Sequence, residues 1–279
     1  MDEIDTPNAR EFSLREAAER LGVHYMTAYR HVRTGRLPAR QVGGQWRIDL
    51  AVLDRPPALG STQPTRPSTS SAPRRGRMVD RLVAGDEAGA WSILEEALLG
   101  GADPVGLHVD LLAAAMGEIG ERWAVDELSI ADEHRATALA SRLVGRLGPR
   151  FVRRGRRRGT VVLAAAPDDH HALPVALAAD VVRAARYAVV DLGGAVPPDQ
   201  LAHAVARADA LMAVGICTSV AGGDADVAAQ VAAVREISTT VTILLGGTAA
   251  SADMADRVGA HGYGADARQL VELVELISH

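Results

Sequence analysis

Between residue 159 and the C-terminus, short apolar runs alternate with segments of helical periodicity. The apolar runs predict buried strands at Thr160–Ala166, Ala188–Leu192, Leu211–Ile216, Val241–Leu245 and His261–Tyr263. The segments between and after them predict helices at Ala172–Arg186, Pro198–Arg207, Asp224–Glu236, Ser251–Val258 and Ala267–Ile277. Such alternation implies a parallel sheet with right-handed crossovers. We therefore predict an α/β domain over residues 159–279.

Three short segments follow predicted strands of this sheet. Asp169–Pro174 comes after the first strand, Cys217–Ser219 after the third and Gly246-Gly247 after the fourth. The first two segments are separated by 42 residues and the last two by 26. Because the carboxyl ends of parallel strands meet at one edge, where ligands bind, these segments predict one binding site.

The first segment carries a candidate metal ligand. A neutral imidazole binds transition metals well, and a nearby carboxylate can accept its other ring N–H and raise its basicity. Asp169 and His171 have the spacing for this arrangement. Asp168 and His170 have it too, but with them the interval to the segment at Cys217 becomes one residue longer. We therefore prefer Asp169 and His171. A simpler alternative is that the aspartates only cap the following helix.

Residues 76–149 have helical periodicity throughout and predict a four-helix bundle. Apolar residues recur at intervals of three and four, as in Trp91, Leu94 and Leu98. Ser129 followed by Asp132 is typical of the start of the last helix.

Residues 10–55 predict a winged helix-turn-helix that binds double-stranded DNA. Ser13 and Glu16 predict a capping box at the start of the first helix, and Gly22 makes the turn. The second helix is predicted at Val23–Arg33. Arg40–Ile48 predicts a hairpin that serves as the wing. The candidate DNA-binding residues are Tyr25, Thr27, Arg30, His31, Arg33, Arg40 and Arg47. The order of these elements resembles excisionase-like and MerR-like DNA-binding domains.

A local positive charge supports this prediction. Five arginines and no acidic residue lie between Arg30 and Arg47, although the net charge of the chain is −5. Such a stripe is typical of a surface that faces phosphates. The alternative is a helical hairpin with a solvated arginine face.

The length and composition of the chain limit its domain organisation and the compartment in which it works. The 279 residues are enough for two or three small domains. Residues 56–75, rich in Pro, Ser and Thr, predict a flexible linker, and Arg150–Gly159 a second junction. The single Cys217 excludes an intramolecular disulfide framework and, with an acidic N-terminus unlike a signal peptide, favours the cytoplasm. The chain has no run of about 18 apolar residues, so we expect no membrane span.

The three strand-end segments resemble the cobalamin-binding pattern of base-off, His-on corrinoid domains, written Asp-x-His-x-x-Gly, Ser-x-Leu and Gly-Gly. The resemblance implies a Rossmann-like (flavodoxin-like) domain in which His171 is the axial ligand of cobalt. It assigns further cofactor contacts to Asp169, Cys217, Thr218, Ser219, Gly246 and Gly247.

The sequence departs from this pattern at three positions. Pro174 replaces the Gly beside which the nucleotide tail of cobalamin passes, and it adds a ring and removes an N–H. Cys217 replaces the Ser, and Ser219 replaces the Leu. Thr218 and Ser219 offer replacement hydroxyl groups.

Trp123, nine residues and then Glu133-His134 resemble the Trp-x9-Glu-His signature of CarH/LitR-type photoreceptor regulators. With the N-terminal module, this resemblance covers nearly the whole chain. It implies that Trp123 stacks on the 5′-deoxyadenosyl group of adenosylcobalamin, while Glu133 and His134 help to hold that group. Ala124 stands where some members have a second cobalt-ligating His, which excludes a lit state with two His ligands at that position.

The resemblance implies a transcriptional regulator and not an enzyme. In that family, adenosylcobalamin binds in the dark, the bound form is a tetramer on its operator, and light breaks the cobalt–carbon bond and the oligomer. Two alternatives stay open. One is a regulator of the same architecture that senses cobalamin or another tetrapyrrole without light. The other is a corrinoid methyl carrier, which leaves residues 10–55 unexplained.

Overall fold

A computed structural model of the chain describes residues 11–21, 28, 32, 37–42, 45–49, 71–220 and 222–277. They belong to two compact units, residues 1–68 and 69–279. The second helix predicted at Val23–Arg33 lies outside the described residues except for Ala28 and Val32, which are helical and buried. Five candidate DNA-binding residues therefore also lie outside: Tyr25, Thr27, Arg30, His31 and Arg33.

The N-terminal unit contains a small antiparallel sheet and a helix. Its elements are β1 (Glu11–Ser13), α1 (Leu14–Arg20), β2 (Arg40–Val42) and β3 (Gln45–Asp49). The predicted capping box is present, since the Ser13 hydroxyl accepts from the Glu16 N–H and the Glu16 carboxylate accepts from the Ser13 N–H. The hairpin predicted as the wing pairs β2 with β3, and β1, which the sequence analysis missed, pairs with the other edge of β3.

The C-terminal unit begins with four helices, which confirm the predicted helical bundle. They are α2 (Ser71–Ala84), α3 (Glu87–Leu99), α4 (Pro104–Gly106, Leu107–Ala113 and Ala114–Ala124 in succession) and α5 (Ile130–Leu147). The middle segment of α4 is a π-helix. Because α2 already begins at Ser71, the last five residues of the predicted linker 56–75 are helical.

The rest of this unit is the predicted parallel sheet with helices on both faces. Its elements are β4 (Thr160–Ala165), α6 (Ala172–Ala184), β5 (Ala188–Asp191), α7 (Pro198–Arg207), β6 (Leu211–Cys217), α8 (Asp224–Ile237), β7 (Thr242–Gly246), α9 (Ala252–Val258), β8 (Gly262–Tyr263) and α10 (Ala267–Ile277). The strand order is β5-β4-β6-β7-β8, and every pair is parallel. No described helix is both long and apolar enough to cross a membrane.

Helix α6 joins the bundle to the sheet. Its residues Leu173 and Leu177 belong to the same apolar core as the bundle helices. On the π-helical segment of α4, the fully buried His108 places Nε2 3.1 Å from the Asp180 carboxylate of α6. That carboxylate also accepts a hydrogen bond of 2.8 Å from Arg183. A buried hydrogen bond of this kind holds two elements in one arrangement, although the other ring nitrogen of His108, Nδ1, is buried without a hydrogen-bond partner among the described residues.

We expect Asp180→Ala to lower the free energy of unfolding by about 3 kcal/mol, because removal of one member of a buried polar pair leaves the other unsatisfied. Asp110→Ala is the matched control, since Asp110 joins the same π-helical segment to Arg268 of α10 through an exposed ion pair. Its loss should cost less than about 1 kcal/mol. Urea denaturation measures both, and equal losses would contradict the role of the buried pair.

Candidate functional site

The segments predicted to form one site do meet at one edge of the sheet. Strands β4, β6 and β7 are neighbours, with Ala165 opposite Cys217 and Cys217 opposite Gly246. The loops after these strands therefore leave the sheet at the same level. This edge is the carboxyl end of the parallel strands, where α/β folds bind ligands.

Asp169 is the centre of the site. Its side chain is only 1% exposed, and its carboxylate receives three hydrogen bonds. Oδ1 accepts from the His171 ring nitrogen Nδ1 at 2.7 Å and from the His171 backbone N–H at 3.0 Å. Oδ2 accepts from the Ser219 backbone N–H at 2.5 Å. This carboxylate consequently fixes both the loop after β4 and the loop after β6.

His171 is oriented by this carboxylate and remains accessible. Its side chain is 51% exposed at the start of α6. Since a carboxylate can only accept here, Nδ1 carries the proton, and Nε2 keeps a lone pair for a metal. Asp168 and His170 are both exposed, and no hydrogen bond joins them within the described chain. The aspartate–histidine pair is therefore 169 with 171, and Asp169 does more than cap a helix.

Glycine allows the loops after β6 and β7 to touch. The φ angle of Gly247 is +101°, and a Cβ there would lie 2.2 Å from the Thr218 carbonyl oxygen. The Thr218 N–H donates to the Gly246 carbonyl at 2.9 Å. Only glycine combines this backbone conformation with such a close contact.

The sequence analysis missed the loop after β5. A Cβ at Gly194 would lie 2.8 Å from the His170 carbonyl oxygen. The Ala195 N–H donates to the Asp169 carbonyl at 2.7 Å. The available signal was Gly193-Gly194 directly after a predicted strand, at the same edge as the other three loops.

Cys217, the last residue of β6, and the two residues after it differ in what their side chains can offer. Thr218 is buried, and its hydroxyl donates to the Val220 carbonyl at 3.2 Å. The Ser219 hydroxyl oxygen is buried without a hydrogen bond of normal geometry among the described residues. Burial, together with the nearby negative charge of Asp169, raises the pKa of the Cys217 thiol to about 12. Ser219 thus contributes a backbone N–H to Asp169, while its own hydroxyl oxygen is not exposed.

Trp123, Glu133 and His134 form a second group at one end of the bundle, where α4 ends and α5 begins. Trp123 is 46% exposed. The Glu133 carboxylate accepts from the Thr137 hydroxyl at 2.7 Å, and the His134 side chain is 71% exposed. In the described part of the chain, no hydrogen bond, ion pair or ring contact joins this group to Asp169 or His171.

Two of the candidate DNA-binding residues are described. Arg40 of β2 is exposed and lies opposite Arg47 of β3, so both occupy one face of the hairpin. The pKa of the exposed Glu16 is lowered mainly by the hydrogen bonds from Ser13 and further by the positive charge of Arg47.

Three parts of the chain match known families. Residues 75–147 and residues 159–272 match two models that are each described as a B12 binding domain. Residues 11–55 match a helix-turn-helix domain. This architecture fits a B12-binding regulator.

Several relatives are corrinoid proteins. The trimethylamine corrinoid protein 1 of Methanosarcina acetivorans is 26% identical over 208 residues, which are 71% of this chain and 94% of that protein. The trimethylamine corrinoid protein of Methanosarcina barkeri is 28% identical over 200 residues, or 68% and 89% of the two chains. Together with the domain matches, these relatives support corrinoid binding.

A solved structure shares the fold of this chain. The Methanosarcina barkeri monomethylamine corrinoid protein superposes with a TM-score of 0.64 at 18% identity, covering 74% of this chain and 100% of that one. At this identity the likeness concerns the fold alone.

We expect Gly247→Ala to abolish retention of cobalamin, because the added methyl group would push the loops after β6 and β7 apart. Gly101→Ala is the matched control, since its φ is +83° but its Cβ would meet no atom within 4 Å. Desalting followed by absorption spectroscopy measures retention, and circular dichroism verifies that each variant folds. Full retention by a folded Gly247→Ala protein would contradict the tight contact.

We expect the Cys217 thiol to react slowly with Ellman's reagent at pH 8 in the folded protein and rapidly in urea, because the thiolate is the nucleophile. Its pKa is raised from 9.0 to about 12, so folding favours the neutral thiol. The resulting stabilisation is complete below about pH 9 and is lost as the pH rises towards 12. Rapid labelling of the native protein at pH 8 would contradict the burial of this group.

Proposed function

We propose that this protein is a DNA-binding transcriptional regulator that senses adenosylcobalamin and, through it, light, and that it has no catalytic activity of its own. The main support is one observation. A buried Asp169 presents the accessible Nε2 of His171 within a B12-binding domain, in a chain that also matches a helix-turn-helix domain.

On the lower side of the cofactor, His171 would ligate cobalt through Nε2. Asp169 would keep the ring in the required tautomer and raise its basicity. The Ser219 N–H holds Asp169 in place, and Ser219 would lie beside the nucleotide tail. Pro174 fits the fold because it is the third residue of α6, where a helix has no partner for the missing N–H.

On the upper side, Trp123 would stack on the adenosyl group, and Glu133 and His134 would provide polar contacts to it. Their support is their shared position at one end of the bundle, where the indole ring and the His134 side chain are both exposed. Adenosylcobalamin would supply a cobalt–carbon bond that light can break. Ala124 offers no metal ligand, so the lit state would have no second protein ligand from this position.

Helix α6 provides a route from the cofactor to the bundle. It begins beside His171 and carries Asp180, which binds the buried His108 of α4. A cofactor that binds one arrangement of bundle and sheet better than another shifts the population towards it. The favoured form would assemble into a homo-oligomer, a tetramer in the resembled family, whose several helix-turn-helix modules bind one operator together.

The test adds adenosylcobalamin to the full chain in the dark and records the absorption spectrum and elution volume before and after green light. We expect a base-off, His-ligated spectrum and a light-dependent decrease in size. His171→Ala should lose the His-ligated spectrum, whereas the control His170→Ala should keep it, because His170 is exposed and outside the aspartate–histidine pair. Absence of cobalamin uptake would reject the proposal.

A corrinoid methyl carrier is the second candidate, favoured by the trimethylamine corrinoid relatives. A carrier would bind cobalamin without binding any DNA duplex. A regulator that does not sense light would bind cobalamin and DNA, but its size and affinity for DNA would not change under green light. The same samples, titrated with a labelled duplex, separate the three functions.

A further inference from the structure

A strongly basic segment lies away from the candidate site. Residues 150–158, the arginine connector, join the bundle to β4 and contain six arginines and no acidic residue. The whole chain, by contrast, has a net charge of −5. The six are Arg150, Arg153, Arg154, Arg156, Arg157 and Arg158.

The connector is exposed, and its last three residues are held in place. Every residue from 152 to 158 is exposed. The Arg158 N–H donates to the Arg186 carbonyl at 3.0 Å, and the Arg186 guanidinium donates to the Arg156 carbonyl at 3.1 Å. The Arg157 guanidinium donates to the Tyr187 carbonyl at 3.0 Å. At residues 156–158, positive charge is therefore displayed on a fixed backbone next to the exposed Arg186.

Most of this charge is not neutralised by neighbouring acids. Arg158 forms an ion pair with Glu275. Within the described residues, no ion pair involves Arg153, Arg154 or Arg156. The connector precedes β4 and so lies at the amino end of the strands, opposite the edge that carries His171. An anionic partner bound here would not compete with a ligand at the candidate site.

The chemistry of the connector favours one class of anionic partner. Guanidinium groups match phosphates with paired hydrogen bonds, and several in sequence suit a polyanion. Binding of single-stranded nucleic acid uses exposed aromatic side chains, but the neighbouring Phe151 and Tyr187 are fully buried. The same chain matches a helix-turn-helix domain at residues 11–55, so the polyanion that it is expected to meet is duplex DNA. The partner that these observations favour is the phosphate backbone of a duplex.

We propose that the arginine connector binds the phosphates of duplex DNA as a second contact surface, in addition to the helix-turn-helix module. This inference rests on the proposed DNA binding. Once the N-terminal module occupies DNA, the connector of the same chain is held at a high effective concentration near the duplex. The contact carries no sequence information and adds affinity and salt dependence.

The test measures the affinity of the full chain, loaded with adenosylcobalamin in the dark, for a fluorescent mixed-sequence duplex of about four helical turns across a range of salt concentrations. Arg153→Gln, Arg154→Gln and Arg156→Gln are combined in one variant. The slope of log K against log[salt] should become shallower by about 1 to 3, since each phosphate contact contributes roughly 0.9. Affinity should fall at least about tenfold at low salt.

The matched control combines Arg77→Gln, Arg142→Gln and Arg257→Gln. These arginines are 55%, 56% and 59% exposed and lie in surface ion pairs, so the net charge changes equally with little effect on stability. The control should retain the wild-type slope. Equal effects of the two variants would overturn the proposal, because net charge alone would then explain them.

Further outcomes separate this inference from the proposed function. Arg40→Gln with Arg47→Gln tests the N-terminal module. If that pair weakens DNA binding while the connector variant binds like wild type, the connector is not a DNA surface and the regulator proposal stands. If the wild type binds no duplex, both are rejected. Loss of binding to duplex RNA or to anionic vesicles, with DNA binding unchanged, would also overturn the proposal.

Discussion

The hydrogen bonds of the buried Asp169 carboxylate are the interaction on which the site depends. One oxygen fixes the His171 ring, and the other fixes the loop that follows β6. A carboxylate this deeply buried is stable only when its hydrogen bonds are made, so the two loops and the ring adopt one arrangement together. The same contact decides which nitrogen of His171 faces outwards. The proposed ligation of cobalt therefore depends on the buried aspartate as much as on the histidine itself.

The site is also connected to the rest of the unit. Helix α6 starts at the site, and its apolar residues pack in the same core as the bundle helices. Further along the helix, Asp180 binds His108 of the bundle. The segment of α4 that carries His108 is π-helical. This form is rare in proteins, and where it occurs it is often at a functional site. A helix held in this way is the proposed route by which a change at the site would reach the bundle. The proposed sensor uses this connection, while the arginine connector, at the opposite edge of the sheet, stays free for a second partner.

Much of the fold could be predicted from sequence because its signals are local. Strands and helices of the sheet domain lie within two residues of their predicted bounds, since apolar runs and helical periods mark them directly. The capping boxes at Ser13 and Ser129 were likewise visible as residue spacings. Strand β1 was missed because three residues carry no period of their own, and pairing with β3 alone makes them a strand. The linker boundary was placed too late because composition does not mark where a helix starts.

By itself, the sequence determined the order of strands and helices, the edge of the sheet at which the candidate site lies, and the candidate pair Asp169 and His171. These follow from periodicity and spacing, which are properties of neighbouring residues. Only the tertiary structure decided that Ser219 acts through its backbone N–H, that Gly194 lies against the loop after β4, and that His108 meets Asp180. Each of these contacts joins residues at least 24 positions apart. Their geometry depends on how strands stack and helices pack, which no local pattern encodes.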